Sequence, residues 1–467
     1  MQQPESKGIL DRALINLRKA WRGLMSTGRE IKRLDLDPDL PEADIKLLRN
    51  LMHECLEGRG GEVSSHARSA VLGQAYLGLN ETGRKRYLEV LAKDFTLDKA
   101  AIREVKTRID ELERSPELAS YLRGLLTPPR LKLLTQFNDL PQGVKFLVDL
   151  RSDLRTFMIA DPILKGLDDD LRGLLESWFD IGFLELKRLT WNEPASLLEK
   201  LIEYEAVHEI SSWSDLRNRL DSDRRCYAFF HPSMPGEPLI FVEVALVNGI
   251  SGSIQRLLDE DAPATNPEDA DTAVFYSITN TQTGLQGIRF GGFLIKRVVD
   301  HLARDLPKLK TFATLSPIPG FVNFIMSLPE SREHELLSAH ARSELEKATG
   351  KQSLKEIITM PDWRQNSNGT DLIREILLRA CAHYLVGEKR GRKALDPVAD
   401  FHLNNGARLE YIHWLGDVSE KGLQQSAGMM VNFLYKLGDI EKNHELYCDS
   451  GKIVTSAAVN SLLKTVN

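Results

Sequence analysis

The stretch Gln286-Gly-Ile-Arg-Phe-Gly-Gly-Phe-Leu-Ile-Lys-Arg-Val-Val299 decides how the second half of the chain folds. Ile295, Val298, Val299, Leu302 and Leu306 recur at the three- and four-residue spacing of one buried stripe. Lys296, Arg297, Asp300, His301 and Arg304 fall largely on the other side, so a helix from Gly291 to about Leu306 is expected. Upstream, Thr272–Ile278 is rich in aromatic and branched residues and reads as a strand. Downstream, Thr311–Leu315 reads as another. Gly287, Gly291 and Gly292 therefore sit in a loop that enters a helix, where unpaired N–H groups face no Cβ. Such an end suits phosphate or pyrophosphate. The spacings of a Rossmann fingerprint and of a P-loop are both absent.

Further upstream, Arg225–His231 and Pro238–Val247 flank Pro-Ser-Met-Pro-Gly-Glu and read as a hairpin. A short helix is expected over Ser253–Glu260, mostly helix from residue 321 onward, and a further sheet-like region near Leu409–Trp414. Alternating strand and helix make this half α+β, and enzyme sites favour such sheet ends. Before about residue 185 the grammar is helical. Leu10, Ala13, Leu14, Leu17 and Trp21 form one stripe, and Asn80 and Asp98 stand where N-caps belong. No fixed repeat period appears. The expected division is a helical domain over 1–185, used for packing or oligomerisation, and a catalytic domain over 186–467.

The length of 467 residues calls for two or three domains, and 42% hydrophobic with 27% charged residues is a globular composition. The net charge of −6 argues against nucleic acid as the main partner. No apolar stretch approaches the roughly 18 residues that cross a bilayer, so no membrane partner is expected. Residues 8–25 are basic and amphipathic, and read as a first helix rather than a transit peptide because of Asp11 and little serine. Cys55, Cys226, Cys381 and Cys448 are scattered, which suits a reducing cytoplasm.

Two segments carry candidate chemistry. In Thr314-Leu-Ser-Pro-Ile-Pro-Gly-Phe321, Pro317 holds Ser316 extended and is expected to end the strand there. In Asp396-Pro-Val-Ala-Asp-Phe-His-Leu-Asn-Asn-Gly-Ala407, His402 suits proton transfer near neutral pH and Asn405-Gly406 marks a turn. His53-Glu54, His334-Glu335 and His444-Glu445 each lack the second histidine of a zinc helix, and no G-x-S-x-G elbow occurs, so neither a metal nor a hydrolase triad is indicated. Glu388–Lys393 is a basic loop, solvated or facing a phosphate. Ser426–Tyr435 reads as an apolar helix carrying a few polar residues.

Gln286-Gly-Ile-Arg-Phe-Gly-Gly also resembles the acyl-CoA pyrophosphate loop Q/R-x-x-G-x-G/A of the N-acetyltransferase (GNAT) superfamily, with Arg289 replacing a customary glycine. Taken with T-L-S-P-I-P-G-F, F-H-L-x-N-G-A, C-Y-x-F-x-H, P-G-E-P-L, F-Y-S-I and S-x-x-G-x-M-x-N-x-x-Y, it resembles the malonyl-CoA decarboxylase family, most densely over residues 180–440. That resemblance implies an all-α N-terminal domain used in tetramer assembly, followed by an α+β catalytic domain with a GNAT-like mixed sheet. It implies conversion of malonyl-CoA to acetyl-CoA and CO2 without cofactor. It places the catalytic pair on Ser316 and His402. Gln286, Gly287, Ile288, Arg289, Phe290, Gly291 and Gly292 take the coenzyme A loop, with Tyr435 near the site. An acyl-CoA-dependent N-acyltransferase and a non-catalytic malonyl-CoA sensor are the alternatives, separated by product analysis.

Overall fold

Two helices of the first half begin where a side chain caps them. Asn80 Oδ1 accepts from the Gly83 amide at 3.0 Å, and Asp98 Oδ1 from the Ala100 amide at 3.0 Å. The computed structural model describes residues 34–464, apart from 58–61, 112–115, 180, 289–293, 361–362 and 364–369, together with Leu17 and Trp21. These fall into two compact units. One comprises Met1–Glu185, Phe230–Leu239 and Asn280–Phe290; the other comprises Leu186–Phe229, Ile240–Thr279 and Gly291–Asn467.

The first unit is helical. Its core gathers Trp21, Tyr76, Tyr87, Phe137 and Phe146 among leucines. Phe146 is the hub, with its ring centroid 5.0 Å from Trp21 and 4.9 Å from Phe137. Leu17 and Trp21 are buried as their stripe requires, while Leu10, Ala13 and Leu14 lie outside the described residues. Two helices of this unit, α1 (Gly143–Met158) and α2 (Lys165–Trp178), hold the turn at residues 283–286 through Arg151 and its partner Asp168.

The second unit is built on a mixed sheet of β1 (Glu185–Leu189), β2 (Arg224–Phe230), β3 (Ile240–Val247), β4 (Thr272–Asn280), β5 (Thr311–Thr314), β6 (Ser316–Pro317), β9 (Arg408–His413) and β10 (Met430–Leu434). Lys389–Arg390 and Lys393–Ala394 make a separate hairpin, β7–β8, where the basic run was expected to be a loop. A helical half followed by an α+β half with a mixed sheet is the class expected. Helix α3 (Leu294–Asp305) fills the gap between β4 and β5 with Ile295, Val298, Val299 and Leu302 buried. It permits the parallel pairing of Thr272–Phe275 with Thr311–Thr314.

Two further expectations change. The helix after Ser253 shrinks to Ile254–Leu257. The segment ending at Tyr435 is not a helix. The helix Glu420–Ser426 stops at Ala427 and Gly428, both at positive φ, and β10 begins at Met430. Both faces of β10 are buried, so its run is continuously apolar and mimics a core helix. The strand carrying Ser316 does end at Pro317, the last residue of β6. β5 and β6 share one antiparallel register against β10, through Ala313↔Leu434, Ser316↔Val431 and Pro317↔Met430. Pairing with β4 stops earlier, after Phe275↔Thr314, while β4 runs on to Asn280. Ser316 therefore stands where two parallel strands part. Among the described residues no helix is long and apolar enough to cross a membrane.

Candidate active site

The register of β5–β6 on β10 puts Phe312, Thr314 and Ser316 on one sheet face, together with Val431, Phe433 and Tyr435. Helix α4 (Pro397–Asn404) lays His402 on that face. The buried His402 ring stacks on Phe433, centroids 4.7 Å apart and planes 24° apart. Its Nε2 lies 3.1 Å from Ser316 Oγ and its Nδ1 2.8 Å from Tyr435 Oη. Ser316 Oγ donates to Thr314 Oγ1 at 2.9 Å, and the Phe433 amide donates to the same oxygen at 3.0 Å. With the Ser316 hydrogen committed to Thr314, the serine oxygen accepts from His402 Nε2–H. Nδ1 then accepts from the tyrosine hydroxyl.

Burial decides the charge states. Ser316, His402 and Tyr435 are 5%, 3% and 2% exposed. Burial pushes the imidazole down to about 3, so it is neutral at physiological pH. The same cause raises the Tyr435 phenol well above its ordinary range and keeps its proton in place.

Asp396 fixes where α4 begins. Its Oδ1 accepts from the Val398 and Ala399 amides at 3.0 and 2.9 Å, and its carboxylate also accepts from the Gly320 amide. One buried carboxylate thus ties the segment carrying Ser316 to the helix carrying His402. Gly320 has no room for a side chain, since a Cβ would stand 2.1 Å from Tyr384 Oη. At the other end Gly406 takes φ +82°, with Ile440 O 2.1 Å from where a Cβ would be. The Asn405-Gly406 turn signal marks a helix end.

Ser316, His402 and Tyr435 are brought together. Gln286, Gly287 and Ile288 belong to the first unit, where Gly287 has φ +85° and open space at its Cβ position. Arg289, Phe290, Gly291 and Gly292 lie outside the described residues. Sequence reading missed Thr314, Phe433 and Asp396. Thr314 was legible two residues before Ser316 on the same strand face. Asp396-Pro397 is an ordinary helix-start signal. Phe433 was hidden by reading its strand as a helix.

Residues 182–467 match the model of the malonyl-CoA decarboxylase C-terminal domain, and residues 95–179 that of the malonyl-CoA decarboxylase N-terminal domain. The chain is accordingly an enzyme of the carboxy-lyase class. A mitochondrial malonyl-CoA decarboxylase of Anser anser anser is 39% identical over 420 residues, 85% of this chain and 83% of the relative. Malonyl-CoA decarboxylases of known structure from Rhodopseudomonas palustris and Agrobacterium vitis are 42% and 40% identical, with TM-scores of 0.80 and 0.82. They cover 89% and 90% of this chain, which in turn covers 99% and 100% of theirs. The chain belongs to the malonyl-CoA decarboxylase family.

Proposed function

We propose that this protein converts malonyl-CoA to acetyl-CoA and CO2 at the sheet face carrying Ser316, His402 and Tyr435. The observation that carries the reading is the hydrogen-bonded series Tyr435–His402–Ser316–Thr314, set beside the point where β4 and β5 part. A malonyl thioester brings its own electron sink. The bond between the carboxylate carbon and C2 breaks, its electron pair moves into the thioester carbonyl, and CO2 leaves an enolate. The protein then has to orient the carboxylate, hold the enolate oxygen and protonate C2.

Ser316 turns its hydroxyl from Thr314 to the substrate carboxylate or enolate oxygen, a contact of the kind that contributes about 3 kcal/mol to a transition state. His402 delivers the Nε2 proton to C2 as Nδ1 takes the Tyr435 proton; a solvent proton then enters at Nε2 and the Nδ1 proton returns to the phenolate, which restores the starting tautomer. A positioned donor of this type contributes about 10²–10⁴-fold. Gln286–Gly292 form the coenzyme A loop, with the Gly287 amide turned to the pyrophosphate. The parallel pair β4–β5, parting at Ser316, supports the GNAT-like reading of the sheet.

Replacing His402 by Asn and Ser316 by Ala tests the assignment, with acetyl-CoA formation and coenzyme A binding measured separately. Turnover falling at least about 10²-fold with binding intact is expected; retained turnover in both variants overturns it. The helical half is read as the assembly domain of a homotetramer, supported by exposed apolar side chains such as Ile159 (88%) and Ile163 (48%). Sedimentation velocity giving a monomer would refute that. The four unpaired cysteines suit a reducing compartment, and we place the protein in the cytoplasm, to be checked by cell fractionation.

A further inference from the structure

We propose that Arg151, a residue of the helical unit, is a positioning residue for coenzyme A binding; this rests on the reading of residues 286–292 as the coenzyme A loop. Helix α1 turns one stripe, Val148, Arg151, Ser152 and Arg155, toward the turn at 283–286, at the i, i+3, i+4, i+7 spacing of a single helix face. Arg151 Nη1 donates to the Gly284 carbonyl at 2.6 Å and to the Gln286 carbonyl at 3.1 Å. Its Nε and Nη2 hold the Asp168 carboxylate of α2 at 2.8 and 3.4 Å. Ser152 Oγ lies 2.6 Å from Thr283 Oγ1, and Arg155 Nη2 donates to Gln286 Oε1 at 3.0 Å. Gly284 sits so close to the helix that a Cβ would stand 1.8 Å from the Val148 carbonyl oxygen.

The orientation follows from peptide geometry. In a trans peptide the C=O and the following N–H point in opposite directions. Drawing the Gln286 carbonyl onto a buried guanidinium therefore turns the Gly287 N–H away from the helix, at a glycine whose Cβ position is open. Asp168 neutralises Arg151, so the guanidinium acts by placing the loop and not by attracting the pyrophosphate. Binding of the thioester is thereby built into the same helices that are read as an assembly domain.

The test compares an R151M/D168L double variant with Gly287→Val, in the full-length protein. Replacing both members of the buried ion pair by apolar residues leaves no unpaired charge and frees only the Gly284 and Gln286 carbonyls from Arg151. The double variant is expected to raise KM for malonyl-CoA and the calorimetric Kd for coenzyme A at least about tenfold, with kcat within about threefold. Arg151→Lys, which keeps a donor but loses the fork, falls between. Unchanged KM and Kd in the double variant, while Gly287→Val raises them, overturns the role of Arg151. Unchanged binding in Gly287→Val overturns the loop reading itself. Should the double variant not fold, S152A/R155A from the same stripe decides: a KM raised at least about threefold supports the proposal, and an unchanged KM overturns it.

Discussion

At the scale of single residues, burial keeps His402 and Tyr435 neutral in the resting state of the proposed site. Tyr435 is the sharpest probe of this, because its hydroxyl selects which imidazole nitrogen carries the proton. In Tyr435→Phe the stacking on Phe433 and the contact with Ser316 both survive, but Nδ1 loses its 2.8 Å partner. We expect kcat to fall about 10–100-fold, by analogy with removing the partner that orients a ligating histidine, while coenzyme A affinity stays unchanged. Equal kcat in the two proteins would remove Tyr435 from the mechanism. The depressed imidazole has a second consequence. No limb with a midpoint near 6.5 should appear in kcat, since His402 does not titrate there.

At the scale of elements, Asp396 shows how a cap becomes part of a site. Asp396→Ala removes the acceptor for two helix amides and the Gly320 amide. Loss of such a cap costs about 1–2 kcal/mol. Because the same carboxylate registers Ser316 against His402, kcat should fall further than stability explains. A lowered melting temperature with kcat intact at a temperature where the protein is folded would show a purely structural cap. Elements also show what was readable beforehand. The helix Leu294–Asp305 was legible from its 3.6-residue apolar period, and the strand before Ser316 as a short buried run stopped by Pro317. β10 was not, since a strand buried on both faces loses its alternation. The serine and histidine were individually visible, and family resemblance joined them. What no local pattern held was the register of β5–β6 on β10, which is set by pairing across more than a hundred residues.

At the scale of the whole molecule, burying neutral histidines makes stability depend on acid. His402 and His208 are both pushed down by burial, to about 3 and about 4, against an ordinary 6.5. Below pH 6.5 the unfolded chain binds protons at these positions that the folded chain refuses. Stability is therefore fully present above 6.5 and drains away as pH falls toward the folded values. For His402 alone, the 1.5-unit interval between 6.5 and pH 5 corresponds to about 2 kcal/mol. For a unit of this size that is a fall of several degrees in melting temperature. His402→Asn supplies a side chain of similar polarity that cannot titrate. Its melting temperature should fall less between pH 7 and pH 5 than that of the unaltered protein, whatever its absolute value at pH 7. Identical falls would mean that the imidazole is solvated enough to take up its proton in the folded state, and that the site is charged in acid. The same measurement then reads out whether the neutral proton donor required by the decarboxylation survives where the protein itself does.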